Sequence, residues 1–416
     1  MTKSIAPNER RDAQVRDWPP IVPPAAIGIL GGGQLGRMLA IAARQLGYRV
    51  AVLDPDPGCP AAGVVDEVVV GAYDDVAAGR RLAERSAVVT CELEHVGVEV
   101  LRAIEAGRPT RPGPDQVAAT QDRLLEREAL ARVGAPVAPW RAVSTHEELV
   151  AAVRELGYPL RLKVTVGGYD GRGQIRLSGP DDLARAIDRL GRPDAQPLLL
   201  ERELDFEAEL SVVVARGFDG ETATYPVARN VHDDGILVES VAPAPVPWQV
   251  ARAAQQLAVD IATSLGAVGV MTAELFLLRD GTLAVNELAP RVHNTGHWSI
   301  EGADTSQFEQ HVRAICQLPL GSTTLRGAVA TVNLLGAGSR RTAAATGLDD
   351  ALATPGAHVH LYGKREVFER RKMGHVTAVD PSGDVELALA RARAAARAIG
   401  WAEAPERELA PSGARA

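Results

Sequence analysis

The sequence predicts a chain of α/β and α+β domains. Three features predict it: an opening of strand, glycine loop, helix and strand from Ala26; a second glycine-rich loop after a strand that carries a lysine; and a long helix leading into a hairpin. In the opening, AIGIL is an apolar strand, GGGQLG the loop, RMLAIAARQLG a helical stretch and YRVAVLD the next strand, a βαβ unit with parallel strands. DEVVVGAY and AVVTCELEHV continue the rhythm, so residues 25–112 read as a Rossmann-like domain that ends in the proline- and glycine-rich TRPGPDQ. Next, QDRLLEREALARVG is an amphipathic helix, YPLRLKVTV and IRL flank the loop GGYDGRGQ, and LLLERELDFEAELSVVVAR gives strand, turn and strand. PWQVARAAQQLAVDIATSLG is the long helix and TAELFLLRDGTLAVNELAP the hairpin, which completes a second domain over residues 113–320. GAVATVNLLG through HVHLYGKREVFERRKMGHVTAV and a final helix make a small C-terminal α+β domain over residues 321–402. Residues 1–24 and 403–416 read as loose tails.

Composition limits the partners. With 416 residues, 46% hydrophobic and 24% charged, the chain can bury a core in each of two or three domains. A net charge of -8 supplies no general positive field, so neither a nucleic-acid nor a membrane partner is expected, and an anionic substrate must meet a local basic cluster. Cys59, Cys91 and Cys316 lack metal or disulfide spacing, and no apolar run has the length of a membrane span or a secretory core; a cytoplasmic location is expected. Lysine occurs only at Lys3, Lys163, Lys364 and Lys372 amid abundant arginine, which is compatible with places where a compact ammonium is wanted and, for only four residues, with chance.

The first loop sets Gly31, Gly33 and Gly36 in GxGxxG spacing, and Asp54 ends the following strand. That pattern is compatible with NAD, with another phosphate or with a structural turn, because its physical content is only helix N-terminal amides that can face an anion. The second loop says more. Lys163 lies just before it, glycines let it close over a polyphosphate, Arg172 adds charge, and the absence of GK[ST] excludes a P-loop. Its alternative is a hairpin tip with a solvated lysine. In the hairpin, a two-residue turn at Asp280 and Gly281 would place Glu274 directly opposite Glu287. Opposed carboxylates destabilise a ladder by about 0.2–1 kcal/mol unless a cation lies between them. The predicted cation is divalent and carries ATP phosphates, with Asn286 as a further oxygen donor if a bulge turns it inward; the alternative is two solvated carboxylates. The loop NELAPRVHNTGHW then concentrates Arg291, His293, Asn294 and His297.

GGGQLGRM, QDRL, KVTVGGYDGRGQ, NVHDDGIL and NELAPRVHNTGHW together, in this order between Ala26 and His375, resemble the N5-carboxyaminoimidazole ribonucleotide synthetase family of the ATP-grasp superfamily. The resemblance implies an ATP-grasp fold with an N-terminal pre-ATP-grasp domain, a homodimer, and magnesium, with manganese able to substitute. It also implies the reaction of ATP, bicarbonate and 5-aminoimidazole ribonucleotide in purine synthesis. By the same resemblance, Arg123 and Lys163 contact ATP phosphates under a loop of Gly168, Tyr169, Asp170, Gly171, Arg172, Gly173 and Gln174. Glu201, Arg202, Glu203 and Leu204 form the adenine hinge, Glu209 holds the ribose, and His232 approaches the phosphates. Glu274 and Glu287 bind the metal, beside Asn286 in the ATP site. Arg291, His293 and Asn294, with Lys163, carry the chemistry on bicarbonate. Gln34, Leu35, Glu92, Tyr169, Arg172, Lys364 and Arg371 hold the aminoimidazole ribonucleotide.

Two positions depart from the family pattern. Arg127 stands where a lysine is usual, and Phe368 stands where an arginine is expected near the substrate phosphate; Arg370 is the neighbouring cation expected to compensate, and Phe368→Arg to improve the grip. The alternatives are a formate-using glycinamide ribonucleotide ligase of the same superfamily, an NAD-dependent oxidoreductase built on the first glycine loop, and an ATP-binding regulatory protein suggested by Phe368 alone.

Overall fold

A computed structural model of the chain describes residues 19–168 and 173–403. Strands β1 (Ala26–Leu30), β2 (Arg49–Asp54), β3 (Glu67–Val70) and β4 (Val88–Cys91) form a parallel sheet in the order β3-β2-β1-β4. β1 and β4 are buried along their whole length, as short apolar runs covered by helices should be. The chain leaves β1 toward β2 on one side, while β4 lies on the other. The carboxyl ends of β1 and β4 therefore flank a topological switch point, the place where such sheets open a crevice. The first glycine loop and Glu92 meet there.

Strands β5 (Trp140–Val143), β6 (Leu160–Val164), β7 (Gln174–Leu177) and β8 (Leu198–Arg202) form a small antiparallel sheet, β5-β8-β6-β7. Helices His146–Leu156 and Asp182–Leu190 close over its buried Leu149, Leu160, Leu162, Ile175, Leu198 and Leu200. Next come β9 (Phe206–Arg216), β10 (Thr222–Thr224), β11 (Ala228–Asp233), β12 (Ile236–Ala242), β13 (Gly269–Leu278) and β14 (Leu283–Ala289). After them come β15 (Ala328–Leu335), β16 (Arg341–Thr346), β17 (Ala357–Leu361), β18 (Glu366–Val367), β19 (Lys372–Asp380) and β20 (Gly400–Glu403). Nine of these twelve make one antiparallel sheet, β14-β13-β9-β11-β12-β15-β19-β17 with β10 beside β9; β18-β16-β20 is a separate three-stranded sheet.

The large sheet crosses residue 320, because β12 pairs with β15 through Glu239 with Val332 and Val241 with Ala330. The C-terminal region thus extends the sheet of the middle region, and helix Val385–Ala398 covers it with Ala388, Leu389, Ala392 and Ala395. The first region docks on the same body. Leu39, Ala43 and Val50 share a buried cluster with Val213, Val270 and Phe308. His311 joins the two: Val270 N donates to its Nδ1 at 2.9 Å, which leaves its Nε2–H for Thr90 Oγ1 at 2.8 Å. Burial holds His311 down at about 4, so this link is a neutral imidazole.

Candidate active site

The middle of the site is a buried network of ions. Lys163 on β6 and Glu201 on β8 lie on neighbouring strands, with Lys163 Nζ 2.5 Å from Glu201 Oε2. Arg127, on helix Arg123–Arg132, reaches the same carboxylate from the other side at 2.6 Å, Glu126 at 3.0 Å and the Asn286 carbonyl at 2.8 Å. That helix starts at a side-chain cap, since Asp122 accepts from Leu124 N and Leu125 N. Arg127 is only 1% exposed, and its guanidinium spans three partners inside the protein. Burial alone would raise the Glu201 carboxyl, but Lys163 and Arg127 outweigh it and hold the group at about 2. Burial pushes Lys163 down, and Glu201 opposes that push. The ion pair stands, with Glu201 ionised. Burial also lifts Glu126 to about 7, while its Oε1 accepts from Leu288 N at 2.7 Å and so ties the helix to β14.

Glu274 on β13 faces Glu287 on β14, as expected, but by a different route. The turn spans three residues between Leu278 and Thr282, with Gly281 at φ 84°, and the ladder near it pairs Leu275 with Val285. A bulge at Asn286 then shifts the register by one residue and brings the two glutamates opposite. The two-residue turn of the sequence reading is therefore corrected: the glutamates meet because of the bulge. Burial first, and then the charge of Glu287, raise the Glu274 carboxyl to about 7. Arg123 Nη1 lies 3.5 Å from Glu287 Oε2 and His293 Nδ1 3.6 Å from Glu274 Oε1. On the neighbouring strands, His232 Nδ1 lies 2.6 Å from Glu209 Oε2. Burial would depress this imidazole, but its bond to Glu209 and the charges of Glu274 and Glu209 hold it above the ordinary range.

The loop after β14 is held from below by Gln307, whose Oε1 accepts from His293 N at 2.9 Å and whose Nε2 donates to His293 O at 2.7 Å. Thr295 N donates to His293 Nδ1 at 3.4 Å, which puts the ring proton on Nε2; burial, then Arg291, keeps this imidazole well below its usual value and neutral. Arg291 pairs with Glu94 of the first region at 2.6 Å. Both amide atoms of Asn294 are buried and have no hydrogen-bond partner among the described residues. A buried amide pair of this kind costs free energy unless a ligand or water meets it.

In the first glycine loop, Glu92 accepts from Gly33 N at 2.6 Å and Gly36 N at 2.5 Å, so the protein's own carboxylate occupies the amides opening helix Gln34–Gln45. Gln34 and Leu35 are the first residues of that helix. Asp54, which the dinucleotide reading needs for a ribose, is 6% exposed and accepts from Gly32 N, Asp56 N and the Tyr73 hydroxyl at 2.7–2.8 Å. The NAD alternative loses its distinguishing group.

Of the hinge residues, Arg202 N donates to Pro139 O at 2.9 Å and Glu203 N to Pro159 O at 3.0 Å, while the Glu203 carboxylate takes Arg161 and Arg176. Gly168, Gly173 and Gln174 flank the second loop, and Gln174 pairs with Lys163. Tyr169, Asp170, Gly171 and Arg172 lie outside the described residues. In the C-terminal basic segment, Lys364 Nζ donates to Lys372 O at 2.7 Å and Arg371 Nη1 to Glu366 O at 2.6 Å. Arg370, expected to compensate for Phe368, is corrected: its guanidinium is tied to the Asp233 carboxylate at 2.8 Å and to the Asp233 carbonyl, at the β11–β12 turn.

Sequence reasoning missed Glu94, Glu126 and Gln307. Glu94 had a signal, since it follows a parallel strand at the switch point; Glu126 and Gln307 had none, because their roles depend on partners 162 and 14 residues away.

Three family descriptions match in chain order: a ribonucleotide synthetase preATP-grasp domain over residues 25–121, an ATP-grasp domain over 128–308, and a phosphoribosylaminoimidazole carboxylase C-terminal domain over 330–388. The chain is 43% identical over 359 residues to the N5-carboxyaminoimidazole ribonucleotide synthase of Brucella melitensis, covering 86% of this chain and 97% of that one. A crystal structure of the ADP complex of an N5-carboxyaminoimidazole ribonucleotide synthetase is 41% identical with a TM-score of 0.83, over 90% of this chain and 97% of the other. The Aspergillus clavatus synthase in complex with ADP and 5-aminoimidazole ribonucleotide is 32% identical with a TM-score of 0.81, over 90% and 98%. With all three domains in order and near-complete coverage of these relatives, the chain belongs to the N5-carboxyaminoimidazole ribonucleotide synthase family.

Proposed function

We infer that this chain uses ATP to carboxylate 5-aminoimidazole ribonucleotide on its amino nitrogen with bicarbonate, releasing ADP and phosphate, within purine synthesis. The observation that carries the reading is the opposed Glu274 and Glu287, next to an Arg291–Asn294 loop whose buried amide lacks a partner among the described residues. Two carboxylates in a partly buried setting are a hard-oxygen donor set, and the Glu274 carboxyl is raised by its burial first and by the charge of Glu287 second. Glu274 and Glu287, with Asn286 at the bulge, would hold magnesium, which would neutralise charge on the ATP phosphates.

ATP then lies between the small sheet and the large one. Lys163 and Arg123 face its phosphates, His232 approaches them from the large sheet, and Glu209 takes the ribose. Because the Arg202 and Glu203 amides are spent within the small lobe, the Leu204 amide is the hinge donor for adenine. A bicarbonate oxygen attacks the γ-phosphorus, the bond from that phosphorus to the bridging oxygen breaks, and ADP leaves. Asn294, with a donor nitrogen and an acceptor oxygen, matches bicarbonate, which offers both; the neutral His293 Nε2–H and the Arg291 guanidinium stabilise the carboxyphosphate. The substrate amine attacks its carbon, phosphate departs and the nitrogen gives up a proton. Glycine-rich residues 167–174 are the segment suited to exclude water from this hydrolysable intermediate.

No helix among the described residues is long and apolar enough to cross a membrane. A cytoplasmic homodimer is the setting proposed for the enzyme. The test is ADP release with each substrate omitted in turn. Release should need bicarbonate and rise strongly with the ribonucleotide; release indifferent to both would refute the ligase reading.

A further inference from the structure

The C-terminal segment carries a cation arrangement that the family pattern does not predict. Arg340, the residue before β16, places its guanidinium carbon 4.7 Å from the centroid of the Phe368 ring, and Arg371 places its own 5.0 Å from the same centroid. One residue anchors both: Arg340 Nη1 lies 2.7 Å from Glu366 Oε2, and Arg371 Nη1 donates to Glu366 O at 2.6 Å. Two guanidinium groups brought to one ring repel each other, while each is attracted to the ring's electron-rich face. Arg340 is also among the charges that push Arg371 below its usual value, behind burial as the main cause. Arg340 meets the Glu366 carboxylate and Arg371 only the Glu366 backbone carbonyl, so one carboxylate stands against two guanidinium groups and the three charges sum to a net positive one. Each guanidinium has five N–H donors in a planar fork suited to phosphate oxygens. Two further arginines of the segment are held elsewhere: Arg365 pairs with Asp56 at 3.0 Å and Arg370 with Asp233.

We propose that Arg340 and Arg371 form a two-arginine clamp for the phosphate of the ribonucleotide, with Phe368 as the spacer that positions both. The proposal rests on the reading that Lys364 and Arg371 belong to the ribonucleotide site, and it assigns Arg340 as the cation that replaces the arginine absent at position 368. Phe368 is a positioning residue: its ring touches the guanidinium groups and not the substrate.

The test compares 5-aminoimidazole ribonucleotide with its dephosphorylated nucleoside as substrates of full-length Arg340→Ala, Arg340→Lys, Phe368→Leu, Phe368→Arg and Arg371→Ala. Arg340→Ala should raise KM for the ribonucleotide about tenfold while leaving kcat, KM for ATP and use of the nucleoside within about twofold. Arg340→Lys should recover part of the loss and Phe368→Leu should show part of it. Phe368→Arg should weaken the grip, contrary to the expectation from the family pattern, because it removes the ring and adds a third like charge. If Arg371→Ala raises KM for the ribonucleotide and Arg340→Ala does not, the clamp is wrong and the site reading survives. If neither does, both fall. Equal losses for ribonucleotide, nucleoside and ATP in Arg340→Ala would make Arg340 structural and overturn the proposal. Should Arg340→Ala fail to fold, calorimetric binding of the ribonucleotide to Arg340→Gln decides: unchanged affinity overturns the clamp.

Discussion

Replacing Glu274 by glutamine should stop turnover and stabilise the metal-free protein at once. Glu274 is 9% exposed and its carboxyl is raised from the ordinary 4.5 to about 7, by burial and by Glu287 opposite. A carboxyl that resists ionising in the folded state but ionises freely in the unfolded chain loses stability as pH rises through this interval. The loss is small at pH 4.5, grows through pH 7 and levels off above it at about 3 kcal/mol. Glutamine removes the charge and keeps the shape, so Glu274→Gln should match the wild type near pH 4.5 and exceed it at pH 8. For a cooperative unit of roughly 200 residues the gain corresponds to roughly 6–12 °C in melting temperature. The assay is thermal melting of both proteins in a chelator across pH 4.5–8.5, repeated with magnesium and ADP, which should stabilise the wild type more than the variant. A variant less stable than the wild type by the same amount at every pH would refute the reasoning, because the two glutamates would then not be in conflict.

Glu201→Gln leaves Lys163 and Arg127 buried without their shared carboxylate and should cost about 3–5 kcal/mol in denaturant unfolding. Since Glu201 sits at about 2 when folded, that deficit should be constant above pH 5 and shrink only as pH falls toward 2; a deficit that fades near neutrality would contradict the pairing. Asn294→Ala should cut bicarbonate-dependent ATP cleavage at least about tenfold while ATP affinity, measured by calorimetry, stays within about twofold, and a selective loss of ATP binding would move Asn294 to another role. Gly36→Ala would set a Cβ 2.4 Å from the Gly31 carbonyl oxygen, so it should cost about 1–3 kcal/mol and raise KM for the ribonucleotide more than for ATP; a variant with wild-type melting would show that the loop can yield.

Local pattern carried much of the fold. The βαβ opening, the helix after Asp122, the strands around the second loop and the hairpin were all readable, because each declares itself within about twenty residues by period and turn chemistry. The join between β12 and β15 was not: alternation tells which face of a strand is buried and says nothing of its partner. The site divides in the same way. Glu274 and Glu287 were legible as a pair, yet the turn was misread, because a bulge at Asn286 is a local irregularity without a sequence mark. Arg127 looked like a tolerated substitution and is instead the centre of a buried network, which depends on Glu201 lying 74 residues away. Arg370 looked available and is held by Asp233 across 137 residues, while Arg340, outside the segment, reaches Phe368.

The central claim is that bicarbonate is phosphorylated before it reaches the amine. Bicarbonate labelled with heavy oxygen, turned over with ATP and 5-aminoimidazole ribonucleotide in ordinary water, tests it directly by mass spectrometry of the phosphate released. The account predicts one labelled oxygen per phosphate, left behind when the carboxyphosphate breaks. Phosphate carrying only solvent oxygen would mean that ATP is hydrolysed without passing through bicarbonate, and would contradict the account.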